Sequence, residues 1–286
     1  MVSKKHGPGF FYNIVMTKTV LVTGASAGIG YAASELLLNR GWKVFAGARR
    51  LEKMKPLEAL GATLLRLDVT DEASLREAAA AVTAGGGLCA LVNNAGYGAH
   101  GAVEDVPLSE ARRQFEVNLF GLARLTQLLL PHLRARGGGR IINISSVAGK
   151  VGMPTGGWYH ASKHALEAYS DALRLETARF GIRVTLVEPG PIKTEWDDTA
   201  LVNLNKYSGA GAYAPLVERL TKKFRAGYRG GAPGPEKVAA VILKALESPR
   251  PAARYAVPFK ASLILFARWL LPDAVWDLAI RRALDW

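Results

Sequence analysis

Tyr159 and Lys163 stand four residues apart in Tyr159-His160-Ala161-Ser162-Lys163, inside a stretch whose pattern predicts a helix over 159–180. That spacing puts both side chains on one helix face, one turn apart. An ammonium group beside a phenol favours the phenolate and draws the tyrosine pKa down from its reference of about 10. The result is a proton donor and acceptor usable near neutral pH. Tyr-x-x-x-Lys also arises on ordinary surface helices, so its weight depends on what accompanies it.

A second group accompanies it. Thr23-Gly24-Ala25-Ser26-Ala27-Gly28-Ile29-Gly30 follows a strand-like run and opens a helical one. Glycines at 24, 28 and 30 let the backbone turn tightly and admit a pyrophosphate without a Cβ in the way. The free N–H groups and positive end of the helix then face the anion. Glycine turns are common; the strand–loop–helix setting is what makes this one a phosphate site. At the end of the second strand, an NAD site places an acidic residue against the ribose hydroxyls. Here the chain has Ala48 and then Arg49. A guanidinium suits the 2′-phosphate of NADP, so NADP(H) is expected over NAD(H), with a solvated loop arginine as the plain alternative.

These groups need elements to hold them. Strand-like runs at 19–23, 43–48, 63–67, 88–93, 140–145, 183–188 and 254–257 alternate with helical stretches such as 29–40, 72–83, 109–136 and 159–180. Apolar strands alternating with helices predict βαβ units and a parallel sheet of about seven strands covered on both faces. Right-handed crossovers make that sheet doubly wound, an α/β fold in one domain. The expected organisation is a polar, turn-forming extension at 1–15, a catalytic domain at 16–258, and a helical C-terminal extension at 259–286. Residues 195–234, rich in Gly, Ala and Tyr, follow a strand end, where doubly wound sheets bind ligands, and are read as a substrate loop or lid. Two amphipathic helices over 259–271 and 272–284 carry Trp269 and Trp276, with Trp286 after them. They complete the core or lid, cover a subunit interface, or lie on a membrane surface with Trp and Arg at the boundary.

Composition excludes several classes. Hydrophobic residues at 49% and charged residues at 21% rule out a disordered or fibrous chain. The 37 Lys+Arg against 24 Asp+Glu give a net charge of +13, but the basic residues are scattered, without a block of like charge or a recognition module. A nucleic-acid partner is therefore not expected. No run approaches the ~18 apolar residues of a membrane span. Cys89 is the single cysteine and cannot form an internal disulfide, which points to a reduced, cytoplasmic setting. No metal-ligand spacing is present.

Taken together, residues 23–30, Asp68 in Leu67-Asp68-Val69-Thr70, Asn93-Asn94-Ala95-Gly96, Asn118, Ser145-Ser146, Tyr159 with Lys163, and Pro189-Gly190-Pro191-Ile192-Lys193-Thr194 resemble the short-chain dehydrogenase/reductase family. They occur in its order over roughly residues 17–258, and the gaps of 28 residues from Asn118 to Ser146 and 13 from Ser146 to Tyr159 match its pattern. The resemblance implies a Rossmann-type fold and assigns roles. Tyr159 is the acid in reduction and the base in oxidation. Ser146 donates to the substrate oxygen, leaving Ser145 as strand end. Lys163 tunes Tyr159 and bonds the nicotinamide ribose, and Asn118 holds a proton-relay water. Around the cofactor it places Gly24, Ser26, Ala27, Gly28, Ile29 and Gly30 at the pyrophosphate and Arg49 at the 2′-phosphate. Asp68 and Val69 lie at the adenine, and Asn94, Ala95 and Gly96 beside the cofactor. Pro189, Gly190, Ile192 and Thr194 meet its nicotinamide end.

Asn93-Asn94-Ala95-Gly96-Tyr97-Gly98, Ala46-Gly47-Ala48-Arg49-Arg50 and Arg254-Tyr255-Ala256-Val257 are similar to the subgroup of 17β-hydroxysteroid and retinol dehydrogenases and acyl-dihydroxyacetone-phosphate reductases. That similarity implies a lipophilic alcohol/carbonyl pair. Trp196, Tyr207, Tyr213 and Phe224, with Met153 and Trp158, then line the pocket or simply pack the loop into the core. It also implies a homodimer or homotetramer built through 109–136 and 159–180. The rival from another class is an NADP-binding sensor without turnover. The complete set Asn118, Ser146, Tyr159 and Lys163 argues against it, since a sensor needs no positioned acid.

Overall fold

The computed structural model describes residues 18–85, 87–229 and 231–286, without the side chains of 196–198 and 227–229. The extension expected at 1–15 and the Trp196 side chain therefore lie outside the described residues. Seven strands form one sheet in the order β3-β2-β1-β4-β5-β6-β7. They are β1 (Thr19–Thr23), β2 (Lys43–Ala48), β3 (Thr63–Arg66), β4 (Ala90–Asn93), β5 (Gly139–Ile144), β6 (Ile182–Pro189) and β7 (Arg254–Val257). Every pairing is parallel. β1 and β4 are buried along their whole length, as unalternating apolar runs in a sheet covered on both faces must be. The strand order reverses between β1 and β4, so the crevice beyond Thr23 and Asn93 is the place for a ligand.

The helices are α1 (Gly28–Asn39), α2 (Lys55–Ala59), α3 (Glu72–Thr83), α4 (Leu108–Phe115), α5 (Leu122–Ala135), α6 (Gly157–Thr177), α7 (Glu195–Ser208), α8 (Ala214–Arg229), α9 (Glu236–Glu247), α10 (Phe259–Leu270) and α11 (Asp273–Leu284). α1, α2 and α9 cover one sheet face around Val22, Ala33, Leu57 and Ile242. α3 and α5 cover the other around Leu21, Leu75, Leu91 and Leu129, with α6 beside them through Leu173. α4 and α5 form the continuous rod read at 109–136, widened to a π turn over Glu116–Gly121.

The segment at 195–234 is mostly helical. Leu201 and Leu204 of α7 and Leu216, Val217, Leu220 and Phe224 of α8 recur at helical spacing and pack on one another, on Met153, and on Ile280 and Leu284 of α11. The tail helices are docked lightly. Ala261 is the one buried residue of α10 and Leu284 that of α11. Phe259 is 76% exposed and Trp269 79%, and Leu263, Phe266 and Leu270 are exposed as well. Among the described residues no helix is long and apolar enough to cross a membrane.

Candidate active site

The side chains expected to be catalytic lie at the C-terminal edge of the sheet. β5 ends at Ile144, and Ser145, Ser146 and a short turn over Val147–Gly149 lead towards α6. Ser146 Oγ accepts from Ala148 N at 3.1 Å and donates to Pro189 O at 3.3 Å, tying the ends of β5 and β6 together. Tyr159 and Lys163 lie in the first two turns of α6 and are 8% and 6% exposed. Lys163 Nζ lies 5.9 Å from the centre of the Tyr159 ring and donates to Ile144 O at 2.8 Å. Burial pulls the Lys163 pKa down to about 8, opposed by the nearby charge of Glu167. The ammonium form persists at neutral pH, and it is the form that favours a phenolate.

Asn118 sits on the π turn, fully buried. Its Oδ1 accepts from Tyr97 N at 3.0 Å, and its Nδ2 donates to Tyr97 O at 2.9 Å and Ser162 Oγ at 3.1 Å. The amide thus joins the loop after β4 to α6, and both its ends are occupied by protein groups. A Cβ on Gly96 would come 3.2 Å from Asn118 Oδ1 and 3.8 Å from Lys163 Nζ, so these two groups flank the same short segment. π turns recur at functional positions, and this one carries a residue that the family resemblance had singled out.

On the nucleotide side, Gly24 has φ +66°. A Cβ there would come 2.9 Å from Ala95 Cα and from the Asn94 amide, and one on Gly30 would run into that amide and Gly24 O. Asn94 Nδ2 donates to Thr23 O at 3.0 Å and Gly24 O at 3.3 Å. Thr23 Oγ1 accepts from Asn94 N and Ala95 N, both at 3.0 Å. Ser26, Ala27, Gly28 and Ile29 complete the entry into α1, and Thr194 packs on Gly28. Gly24 and Gly30 thus let the loop close against Asn94 and Ala95, and the start of α1 behind it is the kind of helix end that suits a pyrophosphate.

Arg49 is exposed at the end of β2. Its neighbour Arg50 is the cation that touches the loop, with Nε and Nη2 donating to Ser26 Oγ at 3.3 and 3.2 Å. Arg50 also lies 3.5 Å from Glu195, which accepts from Lys53 Nζ at 3.1 Å. Asp68 Oδ1 accepts from Thr70 N at 3.0 Å and Thr70 Oγ1 at 2.8 Å. Partial burial raises its pKa, but the Thr70 bonds, Arg49 and Arg113 outweigh that and hold the carboxyl below its usual range. Val69 and Ile192 are buried, and Gly190 N donates to Val257 O at 2.8 Å.

Two neighbours escaped the sequence reading. His100, 8% exposed, has its ring centre 5.5 Å from that of Tyr159. Burial, with His160 adding to it, drives its pKa to about 4, so it is neutral at pH 7. No spacing rule marks a lone histidine on the loop after β4. Arg50 was legible only as half of the Arg49-Arg50 doublet, because its contact with Ser26 spans 24 residues. Of the aromatic residues expected along the pocket, Tyr213 and Phe224 belong to the cluster between α7, α8 and α11. Trp158 Nε1 donates to Val103 O at 3.4 Å. Tyr207 lies under Lys206, whose Nζ is 4.8 Å from its ring centre.

Residues 18–203 match the family model described as short chain dehydrogenase. The chain is 40% identical over 262 residues to the probable short-chain type dehydrogenase/reductase VdlC of Helicobacter pylori, covering 91% of this chain and 96% of that protein. It is 39% identical over 267 residues to the NADPH-dependent 3-dehydrocapnine reductase of Ornithobacterium rhinotracheale, covering 90% and 94%. To the 3-ketodihydrosphingosine reductase of Bacteroides thetaiotaomicron it is 36% identical over 266 residues, covering 92% and 96%. The crystal structure of a short-chain dehydrogenase from Streptomyces avermitilis superposes with a TM-score of 0.78 at 35% identity, covering 94% of this chain and 98% of that one. Agreement of motif, sheet order and near full-length similarity makes the protein an oxidoreductase of the short-chain dehydrogenase/reductase family.

Proposed function

We propose that the protein is an NADPH-preferring reductase of a lipophilic ketone or aldehyde, running the alcohol oxidation in reverse, with Tyr159 as the acid and base. The observation that carries this is the buried Tyr159–Lys163 pair, set with Ser146 at the same sheet edge as the glycine loop. A nicotinamide cofactor held by Gly24, Ser26–Gly30, Arg49, Arg50, Asp68, Asn94 and Thr194 supplies the hydride. Tyr159 gives its proton to the substrate oxygen in reduction and takes one from the alcohol in oxidation. Ser146 Oγ donates to that oxygen as negative charge develops on it. Lys163 keeps the phenolate accessible, and Asn118 braces the Tyr97 loop against α6.

Arg49 stands exposed at the end of β2 beside Arg50, which touches Ser26 of the loop and pairs with Glu195; the Arg49 guanidinium supports a 2′-phosphate and hence NADPH. Met153 and Phe224 face the lid cluster beside the catalytic segment, and the relatives named for 3-dehydrocapnine and 3-ketodihydrosphingosine support a keto group on an apolar substrate. Exposed Phe120, on the π turn between α4 and α5, and Leu175 of α6 support a homodimer or homotetramer through that surface. The exposed stripe of α10 supports peripheral contact with a lipid surface. The test is NADPH consumption against steroid ketones, retinal, acyl-dihydroxyacetone phosphate, 3-oxoacyl thioesters and small aldehydes, with Tyr159→Phe as control. Tyr159-dependent turnover of one lipophilic class is the expected result. NADPH binding without any turnover would replace it with a sensor.

A further inference from the structure

Two buried carboxyls behind Lys163 take no part in the chemistry above. Glu167 follows Lys163 by one turn of α6, and Glu188 stands near the end of β6; each is 3% exposed. One cation serves both. Arg254 Nε lies 2.9 Å from Glu167 Oε2 and 3.5 Å from Glu188 Oε1, while its Nη2 takes Asp171 at 2.6 Å. Lys150 Nζ reaches Glu167 Oε2 at 3.1 Å. The remaining oxygen of Glu167, its Oε1, and Glu188 Oε1 find no hydrogen-bond donor among the described residues, and Ser145 Oγ beside them has no partner there either.

Gly149 shows how tightly these groups are gathered. A Cβ on it would come 2.8 Å from Glu167 Cγ, 2.9 Å from Ser145 Oγ and 3.1 Å from Lys163 O. Glu167, Ser145, the turn after Ser146 and the Lys163 backbone thus share one small volume, and Arg254 joins Glu188 to it. The charged groups facing it are Lys163, Asp171 and Arg174 on α6, Lys150 on the preceding turn and Arg254 on β7.

Glu167 Oε2 and Glu188 Oε1 close on the same Arg254 Nε, at 2.9 and 3.5 Å, which sets the two carboxyls against one another. Two ionised carboxylates are both acceptors, so that approach is favourable only if one of them carries a proton. Leaving both ionised would also strand two buried oxygens without donors. The electrostatics agree: burial, then the charge of Glu167, pushes Glu188 up to about 7. We propose that Glu167 and Glu188 hold one proton between them and act as a positioning pair that sets the charge around Lys163, and through it the ionisation of Tyr159. This rests on the roles given to Tyr159 and Lys163 under the proposed function.

The experiment has two arms, both on the full chain and neither needing a substrate. Infrared difference spectroscopy follows the carbonyl stretch of a protonated carboxylic acid through neutrality. The band is expected at about pH 6, lost by about pH 8, absent at about pH 6 in Glu188→Gln, and titrating at a lower pH in Glu167→Gln. A wild type without the band, a band surviving in Glu188→Gln, or an unmoved titration in Glu167→Gln overturns the shared proton. Ultraviolet difference absorbance, wild type minus Tyr159→Phe, then reads Tyr159 ionisation. Its midpoint is expected to move by about half a unit or more in Glu188→Gln and to return in Glu188→Asp. An unmoved midpoint overturns the coupling. Failure of Tyr159-dependent turnover would sink the proposed function while leaving the infrared result untouched, so the two failures are distinguishable.

Discussion

The glycine loop and the C-terminal helix pair are built on opposite terms. At the loop, Thr23, Gly24, Asn94 and Ala95 hold one another through side-chain-to-backbone bonds of 3.0 to 3.3 Å, and Gly30 has no room for a Cβ. At the tail, α10 and α11 bury one residue each and leave Phe259, Leu263, Phe266, Trp269 and Leu270 facing outward. The first region is determined by the chain's own contacts. The second leaves an apolar surface uncovered among the described residues. Substitutions should therefore be severe and chemically specific in the first, and nearly silent on stability in the second.

The hardest blow to the site is Tyr159→Phe, which removes the acid while keeping the ring. Turnover should fall by about 10²–10⁴-fold, with NADPH affinity within a few-fold of the wild type by fluorescence titration. Retained turnover would break the catalytic assignment. Next comes Gly30→Ala, whose methyl group meets the Asn94 amide and Gly24 O. A loss of about 1–3 kcal/mol in denaturant unfolding is expected, together with weaker nucleotide binding.

Glu188→Gln sharpens the contrast through pH. The folded carboxyl is raised from 4.5 to about 7, chiefly by burial. Its contribution is therefore fully present below about pH 4.5 and is lost as pH rises through about 7. The variant should unfold like the wild type at about pH 5 and gain up to about 3 kcal/mol over it at about pH 9. A smaller and more selective effect belongs to Arg49→Asp: NADPH should weaken by about tenfold or more and NADH far less, as read by their dissociation constants. Equal loss of both would make Arg49 structural. The least stability change, within about 0.5 kcal/mol, is expected for Phe266→Ser with Trp269→Ser. That variant should nevertheless lose flotation with anionic liposomes; binding that persists would take the lipid surface away from α10.

Much of this was legible because its physics is local. Parallel strands buried on both faces read as continuous apolar runs, and all seven strands fall within two residues of their predicted ends. Tyr159 and Lys163 are linked by one helical turn, whereas Ser146 and Asn118 were legible only through the family resemblance, whose spacing they match. The rest depends on contacts between remote segments. Arg50 reaches Ser26 across 24 residues, and Arg254 reaches Glu167 across 87. The helices at 195–208 and 214–229 were hidden by the glycines and tyrosines between and within them. Their apolar positions acquire meaning only against Met153 and the tail.

The bonds from Asn94 and Thr23 have a further consequence for association. They fix the Gly24 turn within the chain, so the freedom of that loop is lost once, at folding, and not again at each encounter with a nucleotide. A nucleotide bound at this loop would meet a finished mould, and a mould rejects by shape: a dinucleotide whose pyrophosphate could not follow the turn between Thr23 and Ile29 would be turned away.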